Sequence, residues 1–323
     1  MDKPLTDKRL NDLVVKAIKE AEKTGSADPA KFLEAFHANL GPLPREQKDA
    51  GGRAMSVGGG ARTPKGARLA ADPRYLASVR ELAKRQKSNT RIVGGSAVSG
   101  KEFDDCVGVG DDNRFGCTGT LIAPEVVLTA GHCEVLHTRV FIGNDLSKKG
   151  REFRVKAHVR HEKFDAQLRN DVMILILEKK VTGVKPRPLA PTGLIDAAAI
   201  GRVVGFGTTD IAGTTGFGVK RLTDVPIVSQ GCRGTVNGKK DSAVYGCHLN
   251  REIVAGKPLL LHDTCKGDSG GPFFVANARG QWLLAGVTSR GTDLATTMCG
   301  DGGLYVRVDA YTSWIASVLK KRG

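Results

Sequence analysis

From residue 92 onward the apolar positions fall in short runs separated by glycine-rich turns. Runs at Thr118–Ile122, Glu125–Leu128, Val140–Ile142, Val172–Leu177, Arg202–Gly205, Pro272–Val275, Trp282–Val287 and Leu304–Val308 predict β-strands. The pattern changes at the C-terminus. Between Tyr311 and Leu319, the apolar residues Trp314, Ile315, Val318 and Leu319 take helical spacing and predict a closing helix.

The first ninety-one residues are patterned differently. Leu10, Leu13, Val14, Ala17, Ile18 and Ala21 mark one face of an amphipathic helix that ends near Gly25. A second helix is predicted from Pro29, capped by Asp28, through Phe32, Leu33 and Phe36 to Gly41. Residues 42–72 are rich in Gly, Ala, Arg and Pro and read as a linker, and a third helix is predicted from Tyr75 to Lys87. The expected organisation is a helical module or propeptide over 1–41, a linker and activation segment over 42–91, and an all-β domain over 92–323.

Charge adds little direction. The chain has 49 basic and 34 acidic residues, a net +15, and residues 1–91 hold 19 of the basic and 11 of the acidic ones. The excess is thus spread over both parts. It favours polyanions in general, but no nucleic-acid motif or aromatic–basic interleaving is present, so nucleic acid is not expected as a partner. No stretch is apolar for long enough to span a membrane.

The chemistry is concentrated in three segments. Asp263-Thr264-Cys265-Lys266-Gly267-Asp268-Ser269-Gly270-Gly271-Pro272 sets a serine between an acid and two glycines. Upstream lie Leu128-Thr129-Ala130-Gly131-His132-Cys133 and Asn170-Asp171-Val172-Met173-Ile174-Leu175-Ile176-Leu177. A serine hydroxyl is a weak nucleophile and needs a base, and the base needs an orienting carboxylate. The three segments, in this order, resemble the trypsin-like serine proteases of the chymotrypsin fold. That resemblance covers residues 92–323 and implies two six-stranded antiparallel barrels with a C-terminal helix. It implies a triad of His132, Asp171 and Ser269, with an oxyanion hole formed by the N–H groups of Gly267 and Ser269.

The same resemblance assigns further residues. Arg91-Ile92-Val93-Gly94-Gly95 is similar to the family's activation site. Cleavage after Arg91, by another protease or by the enzyme itself, would free the Ile92 amine to pair with Asp268. Asp263 is expected at the floor of the primary pocket, between walls at Gly291 and Gly303, where it would receive a substrate Arg or Lys. Ser289-Arg290-Gly291 would form the edge that pairs with the substrate backbone.

Three positions depart from the family pattern. Gly131 stands where alanine is commoner, Arg290 replaces an aromatic residue, and the loop Thr292–Cys299 is longer than usual. Arg290 is expected either to favour acidic substrate residues before the cleaved bond or to obstruct part of the site. The lysine-bearing segment Gly143–Arg151 lacks the clustered oxygens calcium prefers, so neither metal nor cofactor is expected.

Seven cysteines allow three pairs. By resemblance these are Cys117–Cys133, Cys232–Cys247 and Cys265–Cys299, with Cys106 left as a buried thiol. Disulfides imply an oxidising compartment, periplasmic or extracellular, yet the N-terminus has no secretory pattern. A removed signal, a leaderless export route and a reduced cytoplasmic protein all stay open. The expected function is a monomeric serine endopeptidase made as a zymogen. The alternatives are an effector recruited to a partner through residues 1–91, or a catalytically silent binding protein on the same fold.

Overall fold

The computed structural model describes residues 95–209, 215–256, 263–295 and 299–320. The helices predicted in residues 1–91, the linker and the Arg91–Ile92 bond lie outside the described residues.

The chain begins with a two-residue strand, β1 (Ser96–Ala97), and then builds a closed barrel. Its strands are β2 (Cys106–Gly110), β3 (Phe115–Ala123), β4 (Val126–Thr129), β5 (Arg139–Ile142), β6 (Arg151–Arg160) and β7 (Met173–Leu177). They pair antiparallel in the cyclic order β2-β3-β4-β7-β6-β5. β4 and β7 are buried at every position, so they read as unbroken apolar runs. β6 is the opposite case, a wall strand wet on one face. Phe153, Val155, Ala157 and Val159 pack on the core while Arg154, Lys156 and Arg160 are exposed. Its charges break the apolar run, and only the period-2 alternation marks it as a strand.

The second barrel uses β8 (Ile200–Gly205), β9 (Arg221–Ser229), β12 (Glu252–Ala255), β13 (Pro272–Ala276), β14 (Trp282–Gly291) and β15 (Gly303–Arg307). Pairing of β8 with β9 closes the ring, and β1 adds to the outer edge of β9. Both barrels predicted from the resemblance are therefore present. Between β9 and β12, the hairpin β10 (Thr235–Val236) and β11 (Lys239–Lys240) and the helix α2 (Asp241–Tyr245) form a small cap. The Cys232–Cys247 disulfide staples that cap over Val254 and Leu304.

A crossing segment containing α1 (Thr192–Ala197) joins the barrels. Arg187 anchors it. The guanidinium meets both carboxylate oxygens of Asp105 at 2.8 and 2.5 Å. It also donates to the carbonyls of Trp282 and Glu102 and lies over the rings of Phe103 and Phe274. An almost fully buried carboxylate is tolerable only with such compensation. The closing helix α3 (Thr312–Lys320) buries Ile315 and Val318 in the apolar cluster that both barrels share. Cys106 is fully buried and unpaired, and burial raises its thiol pKa, as suits an inert core cysteine.

Candidate active site

His132 sits in a 3-10 turn (Gly131–Leu136) that leaves β4, and Asp171 sits at the start of the segment feeding β7. Because β4 and β7 are hydrogen-bonded neighbours, two residues 39 apart in sequence arrive side by side. Asp171 is fully buried. Its Oδ1 accepts the His132 N–H at 2.9 Å, and its Oδ2 faces His132 Nδ1 at 2.8 Å. Those bonds fix both the backbone and the ring of the histidine. Asn170, just before, holds a left-handed backbone (φ 54°), which asparagine tolerates better than most residues. Its side chain accepts the Tyr311 hydroxyl and donates to the Lys163 carbonyl.

A third donor to Asp171 comes from the other barrel. The Ser289 hydroxyl donates to Oδ2 at 2.6 Å. The register of β14 against β15 shifts between Thr288 and Arg290, so Ser289 occupies a bulge. A bulge re-aims one side chain without ending the strand. The sequence marked Ser289 only as part of the substrate edge, and its bond to Asp171 was not foreseen.

The nucleophile segment is wedged between the barrels. The Thr118 N–H donates to the Ser269 carbonyl at 2.8 Å, and the Thr118 hydroxyl donates to the Gly267 carbonyl at 2.8 Å. The Gly270 N–H donates to the Thr288 carbonyl, and the Thr288 N–H to the Gly271 carbonyl. A Cβ on Gly270 would lie 2.0 Å from Thr129 Oγ1 and 2.8 Å from the Ala130 nitrogen. Glycine at that position is what lets Ser269 approach the strand end that carries His132. Gly267 has φ 103°, and among the described residues neither its N–H nor that of Ser269 is engaged. An oxyanion hole needs such unengaged backbone donors.

Gly131 also has a spatial reason. A Cβ there would lie 3.0 Å from the Phe164 ring and 3.3 Å from Asp171 Oδ1. Arg160 lies over Phe164, with 4.9 Å from guanidinium carbon to ring centroid. This side of the site is filled by Phe164 and Arg160, and glycine makes room for them.

Asp263 lies at the base of the segment before Ser269. Its Oδ1 accepts the Tyr305 hydroxyl and the Thr264 N–H, each at 2.7 Å. Gly303 flanks it, since a Cβ there would meet Tyr305 Oη at 3.1 Å and Asp263 Oδ1 at 3.3 Å. Gly291 pairs with Gly303 across β14 and β15, so the two expected pocket walls face one another in the sheet. Asp263 keeps a partly accessible surface, yet enclosure of its carboxyl raises its pKa to about 7, against hydrogen bonds from Tyr305 and Thr264 that lower it. Nothing in the sequence singled out Tyr305 as its partner.

Asp268 immediately precedes Ser269. Its carboxylate accepts the Gly207 N–H at 2.7 Å and the Cys265 N–H at 2.9 Å. Burial raises its pKa to about 6, with those two bonds and the Arg221 charge acting in the other direction. Arg91 and Ile92 lie outside the described residues, so their expected relation to Asp268 is not seen.

The three expected disulfides are formed. Cys117–Cys133 ties β3 to the turn holding His132, and Cys265–Cys299 ties the Asp263 segment to the loop after β14. Cys117, Cys133 and His132 cluster closely, but both sulfurs are spent in the disulfide, leaving the imidazole as the sole free ligand of that trio.

Arg290, expected either to favour acidic substrate residues or to obstruct part of the site, has a partner within the protein. Its guanidinium turns along the sheet to buried Glu252, with Nη1–Oε1 2.6 Å and Nη2–Oε2 2.9 Å. Its charge is compensated within the protein and is not left facing a substrate acid.

Comparison with known proteins places this site in context. The family model described as Trypsin matches residues 92–315. Serine protease VLSP-3 of Macrovipera lebetinus is 28% identical over 249 residues, covering 75% of this chain and 92% of the relative. Thrombin-like enzyme cerastocytin of Cerastes cerastes is 30% identical over 254 residues, covering 75% and 92%. Thrombin-like enzyme gloshedobin of Gloydius shedaoensis is 30% identical over 255 residues, covering 74% and 91%.

Proposed function

The chain belongs to the trypsin family and is a serine endopeptidase; we propose that it cleaves after Arg or Lys through His132, Asp171 and Ser269, and that it is switched on by cleavage at Arg91–Ile92. The observation that carries the proposal is the wiring of buried Asp171, which accepts two bonds from His132 and one from Ser289. This holds the imidazole with Nδ1 toward the carboxylate and leaves Nε2 as the base.

In the proposed reaction, His132 Nε2 takes the Ser269 hydroxyl proton as the oxygen attacks the substrate carbonyl carbon. The carbonyl oxygen gains negative charge and is held by the Gly267 and Ser269 N–H groups. Asp171 stabilises the imidazolium. Collapse breaks the C–N bond, and the amine leaves with the proton from His132. A water, deprotonated by His132, then hydrolyses the acyl ester and returns Ser269.

The preference for basic residues rests on Asp263. A cationic side chain arriving beside it would pair with the carboxylate and hold it ionised. Activation rests on Asp268, a buried carboxyl held by two N–H groups with no ion-pair partner within 4.0 Å among the described residues. A new Ile92 ammonium would supply that partner. Three disulfides support an oxidising, extracellular setting, and no helix among the described residues is long and apolar enough to cross a membrane.

Fluorophosphonate labelling, before and after limited cleavage at Arg91, tests both parts. Labelling of Ser269 is expected to rise sharply after the cut and to be absent from Ser269→Ala. Equal labelling and peptidase rates for uncut Arg91→Gln and cut wild-type protein would remove the switch. A cut protein that neither labels nor cleaves would favour the silent-binder alternative.

A further inference from the structure

The sequence leaves Arg290 as an anomaly at the substrate edge, and its surroundings give it a purpose. Arg290 is the penultimate residue of β14, next to Ser289, which is bonded to Asp171. It pairs with Leu304 of β15, which pairs in turn with Val254 of β12. Glu252 lies two residues along β12 from Val254, so it stands diagonally across β15 from Arg290. The carboxylate of Glu252 is 1% exposed and fully engaged. Oε1 accepts from Arg290 Nη1 at 2.6 Å and faces His248 Nδ1 at 3.1 Å. Oε2 accepts from Arg290 Nη2 at 2.9 Å and from the His248 N–H at 2.8 Å. Arg290 Nη2 also donates to the Gly246 carbonyl at 2.9 Å, and Nη1 lies 3.4 Å from the Ser289 hydroxyl oxygen.

This accounts for both terminal nitrogens of the guanidinium. Among the described residues the Nε–H alone is unengaged, and the side chain keeps 19% of its surface exposed. The group thus keeps one unengaged N–H while its charge is matched from behind by Glu252. A large apolar side chain laid here would desolvate that donor without replacing its bond. A carboxylate would find a cation already paired with a buried acid.

We propose that Arg290, held by Glu252 and His248, is a specificity-determining residue. It makes the subsite for residues preceding the cleaved one select uncharged hydrogen-bond acceptors such as Asn, Gln, Ser and Thr. The proposal rests on Ser289–Gly291 being the substrate-pairing edge and on cleavage after Arg or Lys.

The test uses full-length protein cut at Arg91 and a fluorogenic peptide library with Arg fixed before the cleaved bond. Rates are normalised to a blocked single-Arg amide. Wild type is expected to favour uncharged acceptor residues over both acidic and large apolar ones by about tenfold in kcat/KM, carried by KM. Glu252→Gln leaves the guanidinium uncompensated and is expected to shift preference toward Asp and Glu by about tenfold. If that variant does not fold, Arg290→Met/Glu252→Met replaces the pair with apolar volume and is expected to shift preference toward large apolar residues. A wild-type preference for acidic or for large apolar residues overturns the proposal. So does a folded variant with an unchanged profile. Failure of every protein to cut the single-Arg amide would instead count against the Arg or Lys reading.

Discussion

The two barrels equip the site in opposite ways. The first supplies His132 and Asp171, and the buried charge there is already answered. Asp171 has three donors at 2.6–2.9 Å, two from its own barrel and one from Ser289. The second barrel supplies Ser269 together with Asp263 and Asp268, whose carboxyls burial raises to about 7 and about 6. Each accepts hydrogen bonds, but none of its donors is a cation. The His132–Asp171 pair is complete as folded, whereas the barrel of Ser269 is built around acids that, in the proposed function, await a cation from outside. For Asp263 that cation is the substrate, and for Asp268 it is a new N-terminus.

The sharpest way to break this comparison is Asp263→Ser. If the acid awaits the substrate's charge, kcat/KM after Arg and Lys should fall by about 10⁴ while an apolar substrate loses little. Equal losses on both substrates would mean that Asp263 only supports the fold around Tyr305.

Ser289→Ala probes the answered charge. Loss of one bond to a buried carboxylate is expected to lower kcat about 10- to 100-fold. A change in KM alone would relegate Ser289 to the substrate edge.

pH separates the barrels without mutation. Asp263 must be ionised to receive a cation, so the ratio of rates on Arg and apolar substrates should rise through about pH 7. His132 cancels in that ratio, since both substrates need it. The same two acids act on stability. Their folded pKa values lie above the ordinary 3.8, so they favour the fold at low pH. That contribution is lost as pH rises from about 4 to about 6 for Asp268 and to about 7 for Asp263. Thermal melts of uncut protein should show the slope, and Asp268→Asn should flatten its lower part.

The smallest effect is expected at Gly131→Ala. The added methyl would press on Phe164 and Asp171, at a cost of about 1 kcal/mol and a few-fold in kcat. A variant as active and stable as wild type would show that Phe164 yields freely.

Much of the candidate site was legible because its residues stand in segments that resemble those of a known family. The order of His132, Asp171 and Ser269, the acid at 263 and the six paired cysteines all stand in short segments whose spacing survives without the fold. The unbroken apolar runs of β4 and β7 were equally plain. β6 was not, since its charged face masks the alternation of Phe153, Val155, Ala157 and Val159. Glu252 was invisible for a different reason. In sequence it is an ordinary acid beside Arg251, and only the pairing of β12 with β15 makes it the partner of Arg290.

By itself, then, the sequence supplied the candidate nucleophile, base and orienting acid of the proposed reaction, because few side-chain types can take those roles. The tertiary structure decided how the charges are matched. The bulge at Ser289, the Tyr305 bond to Asp263 and the inward turn of Arg290 are long-range contacts. They depend on which strands lie side by side and how deeply each acid is buried, and both are set by closure of the barrels.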